Sequence, residues 1–306
     1  MQHRKTIVAI VLAVAFIVAA ALPTLMSTTD EVACLAESCR HDPPSRLAAT
    51  PPSAVRQLPD RRLSMEEVRK RIHPDVFHSL GARSYQFARV GDIRPPGDAL
   101  VYVKERLAMS DSGDGLATFD IYLTVMDCKS QLSKSTHGPG GVGTPPPLGM
   151  VELQTMERKL RECSELYGDA GLMEGKWLAR AAQQGSIEAK LYYTVDTATV
   201  LGSPLDRLND PESIIVWKEN AATYLHDVAA TGNLDAILRL SNLYERGFIV
   251  QKNGEMAYAY ALAANRIQPG LSWPLTMRGL EEELSIKQRE SAVALARQIY
   301  WSCCEL

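Results

Sequence analysis

Apolar positions recur at helical spacing in two adjoining stretches of residues 233–264. Ala236, Leu240, Ser241 and Tyr244 lie along one stripe, close to the period of about 3.6 residues. Ala257, Tyr260, Ala261 and Ala264 repeat the i, i+3, i+4, i+7 pattern. Between them Gly247 stands where a left-handed helix cap is wanted, and Phe248 to Asn253 is a short loop. The pattern predicts a helical hairpin. Such a hairpin cannot bury both of its faces alone, so it implies stacked neighbours.

Other stretches predict further helices. Ser64 with Glu67 reads as a capping box that opens a short helix carrying Val68 and Ile72, with Pro74 as its stop. Residues 98–109 and 116–128 read as helices; the aromatic and β-branched content of the second also admits a strand. Asp210-Pro211-Glu212 is a helix start with cap, proline and acid in order. Ser285 and Gln288 cap the last helix, whose Ala292, Leu295, Ala296 and Ile299 face inward. One pattern occurs three times: a helix end, a glycine, and an alanine four residues on. It falls on Gly113 with Ala117, Gly185 with Ala189, and Gly232 with Ala236. The glycines are spaced 72 and then 47 residues apart, so insertions vary. Ala181-Ala182 and Ala229-Ala230 precede the last two, and Ser186 or Asn233 can cap the helix that follows.

The N-terminal region is different. Arg4 and Lys5 precede a stretch without charge from Thr6 to Thr29. Residues 1–26 therefore read as a membrane anchor or a signal peptide, with Ala19-Ala20-Ala21 as the cleavage site in the second case. The uncleaved anchor is the preferred reading. The positive-inside rule places everything after residue 30 outside the cytoplasm. The expected location is anchored in the inner membrane with the body in the periplasm, or soluble after cleavage. Residues 27–62 are a Pro-rich tether. Residues 63–302 form the helical body, with a Gly/Pro-rich loop at 133–149.

Composition narrows the function. The formal net charge of -3 lacks the basic footprint of a nucleic-acid binder. Six cysteines in an exported chain make disulfides plausible, and Cys128 with Cys163, flanking the Gly/Pro-rich loop, is the expected bridge. Cys34 and Cys39 can pair in the tether. Cys303 and Cys304 are adjacent, which disfavours a bond between them and leaves them free or paired elsewhere. A zinc site from Cys34, Cys39 and His41 lacks the spacing of zinc motifs. Gly138, Gly140 and Gly143 match a dinucleotide fingerprint in form, but Pro145-Pro146-Pro147 follow where a helix must open. No cofactor, metal or catalytic residue is expected. Trp177, Trp217, Trp273 and Trp301 read as core.

The stretch Ala236–Ala264 resembles a Sel-one-like repeat, a relative of the tetratricopeptide repeat. The resemblance rests on Ala236, Leu240-Ser241, Tyr244, Gly247, Val250, Asn253, Met256-Ala257, Tyr260 and Ala263-Ala264. Ser241, Ile249, Asn253 and Met256 depart from the family pattern. The match degenerates over 177–232, and only the Gly-to-Ala spacing persists over 98–128. The resemblance implies an all-α fold of antiparallel hairpins stacked as a short α-solenoid. It further implies a protein or peptide partner and no shared catalytic residues. The expected function is a non-enzymatic scaffold or adaptor in the bacterial envelope, with oligomeric state left open. The competing expectation is an envelope hydrolase, or a modulator of one, whose site is assembled from distant residues such as His73, His78, Asp120 and His226.

Overall fold

A computed structural model describes residues 63–136, 150–270 and 274–305, all within one unit spanning Val55–Leu306. In chain order the elements are α1 (Met65–Arg69), β1 (Phe77–Ser79), β2 (Tyr85–Phe87), α2 (Ala99–Asp111), α3 (Gly115–Thr136), α4 (Met150–Tyr167) and α5 (Ala170–Met173). There follow α6 (Trp177–Gln183), α7 (Ile187–Tyr193), α8 (Thr197–Leu201), α9 (Pro204–Asn209), α10 (Pro211–Ala230), α11 (Leu234–Arg246), α12 (Gly254–Ile267), α13 (Pro274–Glu282) and α14 (Ile286–Cys303). Residues 1–62, which hold the expected anchor and the whole tether with Cys34, Cys39 and His41, lie outside the described residues, as do Gly138, Gly140, Gly143 and Trp273. Among the described residues no helix is long and apolar enough to cross a membrane.

The fold is an all-α helical-repeat array. Packing runs from each helix to the next along the chain: α3 on α6, α6 on α7, α7 on α10, α10 on α11, α11 on α12, and α12 on α14. Three hairpins emerge, α3/α6, α7/α10 and α11/α12. Each leading helix starts after one of the three repeat glycines, which adopt φ of 98°, 95° and 88° at Gly113, Gly185 and Gly232. The residue after each glycine caps the helix. Asp114 Oδ1 accepts from the Ala117 N–H (3.1 Å), Ser186 Oγ from Ala189 (3.2 Å) and Asn233 Oδ1 from Ala236 (2.9 Å). The Gly-to-Ala spacing is thus the geometry of an N-cap, with the alanine at the third helical position. Ala189 and Ala236 are fully buried and Ala117 nearly so, because a small side chain there lets the previous helix approach.

The hairpin α11/α12 follows its sequence pattern closely. Gly247 takes the left-handed conformation (φ 71°, ψ 24°) and its N–H donates to the Leu243 carbonyl. The Asn253 N–H donates to the Tyr244 carbonyl (2.8 Å), and Asn253 Oδ1 accepts from the Met256 N–H (3.0 Å), closing the loop. Ala236, Leu240, Ser241, Ala257, Tyr260, Ala261 and Ala264 are all buried. Ser241 is not a neutral departure from the repeat: its hydroxyl donates to the Ala257 carbonyl of the facing helix at 2.8 Å.

Several expectations need correction. Helix α3 runs on through Thr136, so residues 133–136 are helical rather than loop. Helix α1 ends at Arg69, and Ile72 is buried in the turn that follows it. A small antiparallel hairpin, β1/β2, was not expected; three-residue strands leave too short an alternation to register in the sequence. Trp217 is buried and Trp177 partly so, but Trp301 is 53% exposed on α14. Cys303 and Cys304 are joined to each other, with both side chains buried in the same cluster at the end of α14. Their shared burial overrides the argument from adjacency. Cys128 and Cys163 are also joined, with Cα atoms 5.6 Å apart.

Candidate functional site

Residues 63–94 form a strap that crosses the leading ends of the repeat helices. Its apolar side is deeply set: Val68, Ile72 and Tyr85 share one core cluster with Ile187, Leu191, Leu234 and Ile237. Its backbone is also engaged. The Ile187 N–H donates to the Arg71 carbonyl (3.1 Å), and the Tyr85 N–H to the Gly232 carbonyl (3.1 Å). The Phe87 N–H donates to Asp235 Oδ2 at 2.9 Å. The strap therefore accepts a hydrogen bond from the start of α7 and donates two at the start of α11. The Tyr85 ring stacks on Phe77 with centroids 4.7 Å apart, and its hydroxyl lies 2.7 Å from Thr231 Oγ1. Burial raises the Tyr85 phenol above its ordinary pKa.

An ion network fastens the strap's polar side. Glu188, only 2% exposed, accepts from the His73 backbone N–H (2.7 Å) and lies 2.7 Å from His73 Nδ1. Its other oxygen accepts from Arg89 Nη2 at 2.9 Å. On the far side of the ring, His73 Nε2 is 3.2 Å from Asp120 Oδ1, at ion-pair distance but without hydrogen-bond geometry. Arg106 Nε donates to Asp120 Oδ2 at 3.0 Å. Burial pulls the His73 pKa down, but the facing carboxylates of Asp120 and Glu188 outweigh it and raise the pKa to about 9. Burial likewise pushes the Asp120 carboxyl up, and His73 and Arg106 together hold it below the usual carboxylate range.

The four residues named for an assembled active site thus separate. His73 and Asp120 meet. His78 is exposed on β1. His226 sits on α10 between two repeat tyrosines, its Nε2 3.2 Å from the Tyr244 hydroxyl and its Nδ1 3.3 Å from that of Tyr260. Glu188, Arg89 and Arg106 were not anticipated. A signal existed for the first: Glu188 and Asp235 each stand three residues after a repeat glycine, an acid at the same register of two leading helices. Among the described residues no group of His, Cys, Asp and Glu side chains is placed to hold a metal ion.

A second register matters. The seventh residue after each repeat glycine is Asp120, Tyr192 or Arg239, one on each leading helix. Asp120 is satisfied by His73 and Arg106. Tyr192 is 40% exposed and its ring packs edge-on against Phe119 (5.5 Å) and Tyr122 (6.4 Å). Arg239 is partly buried; burial pulls its pKa down against the opposing charges of Asp235 and Tyr192.

The helix packing and capping define this protein as a helical-repeat array whose best hairpin has the form of a Sel-one-like repeat. No family model matches the chain, and no curated protein matches it. Among solved structures, a protective antigen present in uropathogenic Escherichia coli strains and displaying an SLR fold is similar, with 17% identity and a TM-score of 0.27. The similarity covers 66% of this chain and 56% of that one, so the chain spans little over half of that protein. The overlap is too loose to add to the helix packing, which carries the fold by itself.

Proposed function

We propose that this protein is a non-enzymatic scaffold that binds an extended protein or peptide segment along its leading helices, held in the bacterial envelope by its N-terminal apolar run. One observation carries the reading. The array already holds an extended segment, its own strap, through backbone hydrogen bonds at Gly232 and Asp235 and cation–carboxylate pairs at Glu188. Helix starts, whose N–H groups and nearby carboxylates face an extended chain, supply the chemistry of peptide recognition. Cross-linking of the full chain in envelope membranes, followed by peptide mapping, tests it. Cross-links from a partner should converge on α7 and α11. Cross-links scattered evenly over the surface would count against a defined binding face.

The hydrolase reading has one observation in its favour, the approach of His73 to Asp120. Its chemistry opposes it. A general base must offer a free ring nitrogen, and the most effective bases have a pKa near the working pH. With its pKa raised to about 9, His73 carries protons on both nitrogens at neutral pH and faces a carboxylate on each side. It serves as a buried cation that joins two acids. A hydrolytic activity of the purified chain, abolished by His73→Gln with the fold intact, would reverse this assignment.

A further inference from the structure

We propose that Arg239, with Tyr192 beside it, is the anchoring point for an acidic side chain, aspartate or glutamate, of the bound segment. The inference rests on the scaffold reading and adds the chemical class that the face selects.

Four observations support it. Arg239 occupies the same register on α11 as Tyr192 on α7 and Asp120 on α3, and the Tyr192 phenol lies near enough for its charge to act on Arg239. The first position is closed from within, because His73 and Arg106 both approach Asp120. The third is not: among the described residues the charges of Asp235 and Tyr192 act on Arg239, but no side chain is in hydrogen-bond contact with it. That contrasts with the sheltered arginines of the strap and of α2. Arg94 meets Glu162 at 3.0 Å, Arg89 meets Glu188 at 2.9 Å and Arg106 meets Asp120 at 3.0 Å. The nearest acid on its own helix, Asp235, is turned to the strap and accepts from the Phe87 N–H.

A guanidinium that has lost part of its water without gaining an acceptor is a costly arrangement for a free protein. A carboxylate arriving from outside restores two parallel charge-assisted hydrogen bonds in the planar geometry that arginine offers. The exposed Tyr192 supplies an aromatic wall and a hydroxyl at the same place. Arginine and tyrosine are the residue types that concentrate binding energy at interfaces. A phosphate would also fit a guanidinium, but the neighbouring Asp235 and the phenol of Tyr192 favour the singly charged group.

The test uses the purified full chain in detergent and a library of random dodecapeptides displayed on phage. The expected result is enrichment of peptides with Asp or Glu at one fixed position. For a synthetic copy, Glu→Gln in the peptide and Arg239→Gln in the protein should each weaken binding at least about tenfold. Both changes together should weaken it no further than either alone. Tyr192→Phe should weaken it about two- to threefold. If Arg239→Gln proves unstable, Arg239→Lys and the peptide-side series read the same coupling. Enriched peptides without an acid preference, bound equally by Arg239→Gln, would overturn the anchoring site and leave the scaffold reading standing. Failure to enrich any peptide would overturn both.

Discussion

The first and third hairpins begin in the same way and close in opposite ways. Each leading helix, α3 or α11, follows a glycine of positive φ, is capped by the next residue, and buries an alanine at its third position. The third hairpin then closes locally. Seven loop residues, from a left-handed Gly247 to the Asn253 cap, bring α12 back onto α11. Between α3 and α6 the first hairpin inserts a further segment containing α4 and α5, and α4 is tied to α3 by Cys128–Cys163. The turn between repeats therefore sets the stacking register, whereas the loop within a repeat is free to grow. Growth carries a cost: a long inserted segment leaves a place where the array can open, and the covalent tie sits there.

The largest effect should appear when the two register glycines are exchanged for valine. At Gly232 the added Cβ would fall well inside contact distance of the Arg83 carbonyl oxygen, in the strap, and the backbone is left-handed. Gly113 shares the left-handed backbone, but its Cβ would meet nothing within 4 Å. Urea denaturation should show Gly232→Val losing about 4 kcal/mol or more, and Gly113→Val about 1–2 kcal/mol. Gly247→Val should fall between them, since its Cβ would lie 2.9 Å from Lys252 Cβ. Equal losses at 113 and 232 would remove the strap from the account of the third hairpin.

Next in size is the tie of the first hairpin. Cys128 and Cys163 are 35 residues apart. In the chain-entropy model such a crosslink stabilises by about 3–4 kcal/mol, so replacing both with serine should lower the melting temperature markedly. Non-reducing peptide mapping should find the two joined. Free alkylation of both thiols in the folded protein would sink the idea.

The first hairpin is linked to the second by the His73 network, which joins α3 to α7. The His73 pKa is raised from 6.5 to about 9, so the folded state holds its proton more tightly than the unfolded chain. Its contribution is complete below pH 6.5 and is lost as pH rises through about 9. The loss should amount to about 2–3 kcal/mol. Asp120 acts in the other direction: its depressed pKa gives stability above the ordinary carboxylate value, lost as pH falls through its folded value. Melting temperature against pH should decline on the alkaline side in the wild type, and the decline should flatten in His73→Gln. An unchanged alkaline slope in that variant would place the titrating group elsewhere.

The smallest effect concerns what the repeats share. Asp114→Ala, Ser186→Ala and Asn233→Ala each remove the same cap, and each should cost about 1 kcal/mol. A loss at Asn233 alone would mean that the repeat register is shared in geometry but not in energy.

Much of this array was legible in the sequence because its signals act over three or four residues. Caps at Ser64, Ser186, Asp210, Asn233 and Ser285, the stripe on α11 and the left-handed Gly247 are each set by neighbours along one turn of helix. A helix carrying Cys163 was expected as well, and it is α4.

The sequence by itself determined where the capped helices begin, which glycines turn the chain and which alanines admit a neighbour. Local hydrogen bonds and steric limits decide those questions. The tertiary structure decided that the strap lies across the leading helices, that Glu188 faces His73 from 115 residues away and Arg89 from 99, and that Arg239 gains no hydrogen-bond acceptor among the described residues. Charges so far apart in the chain carry no periodic mark, and their partners follow only from which helix faces come together once the apolar stripes are buried.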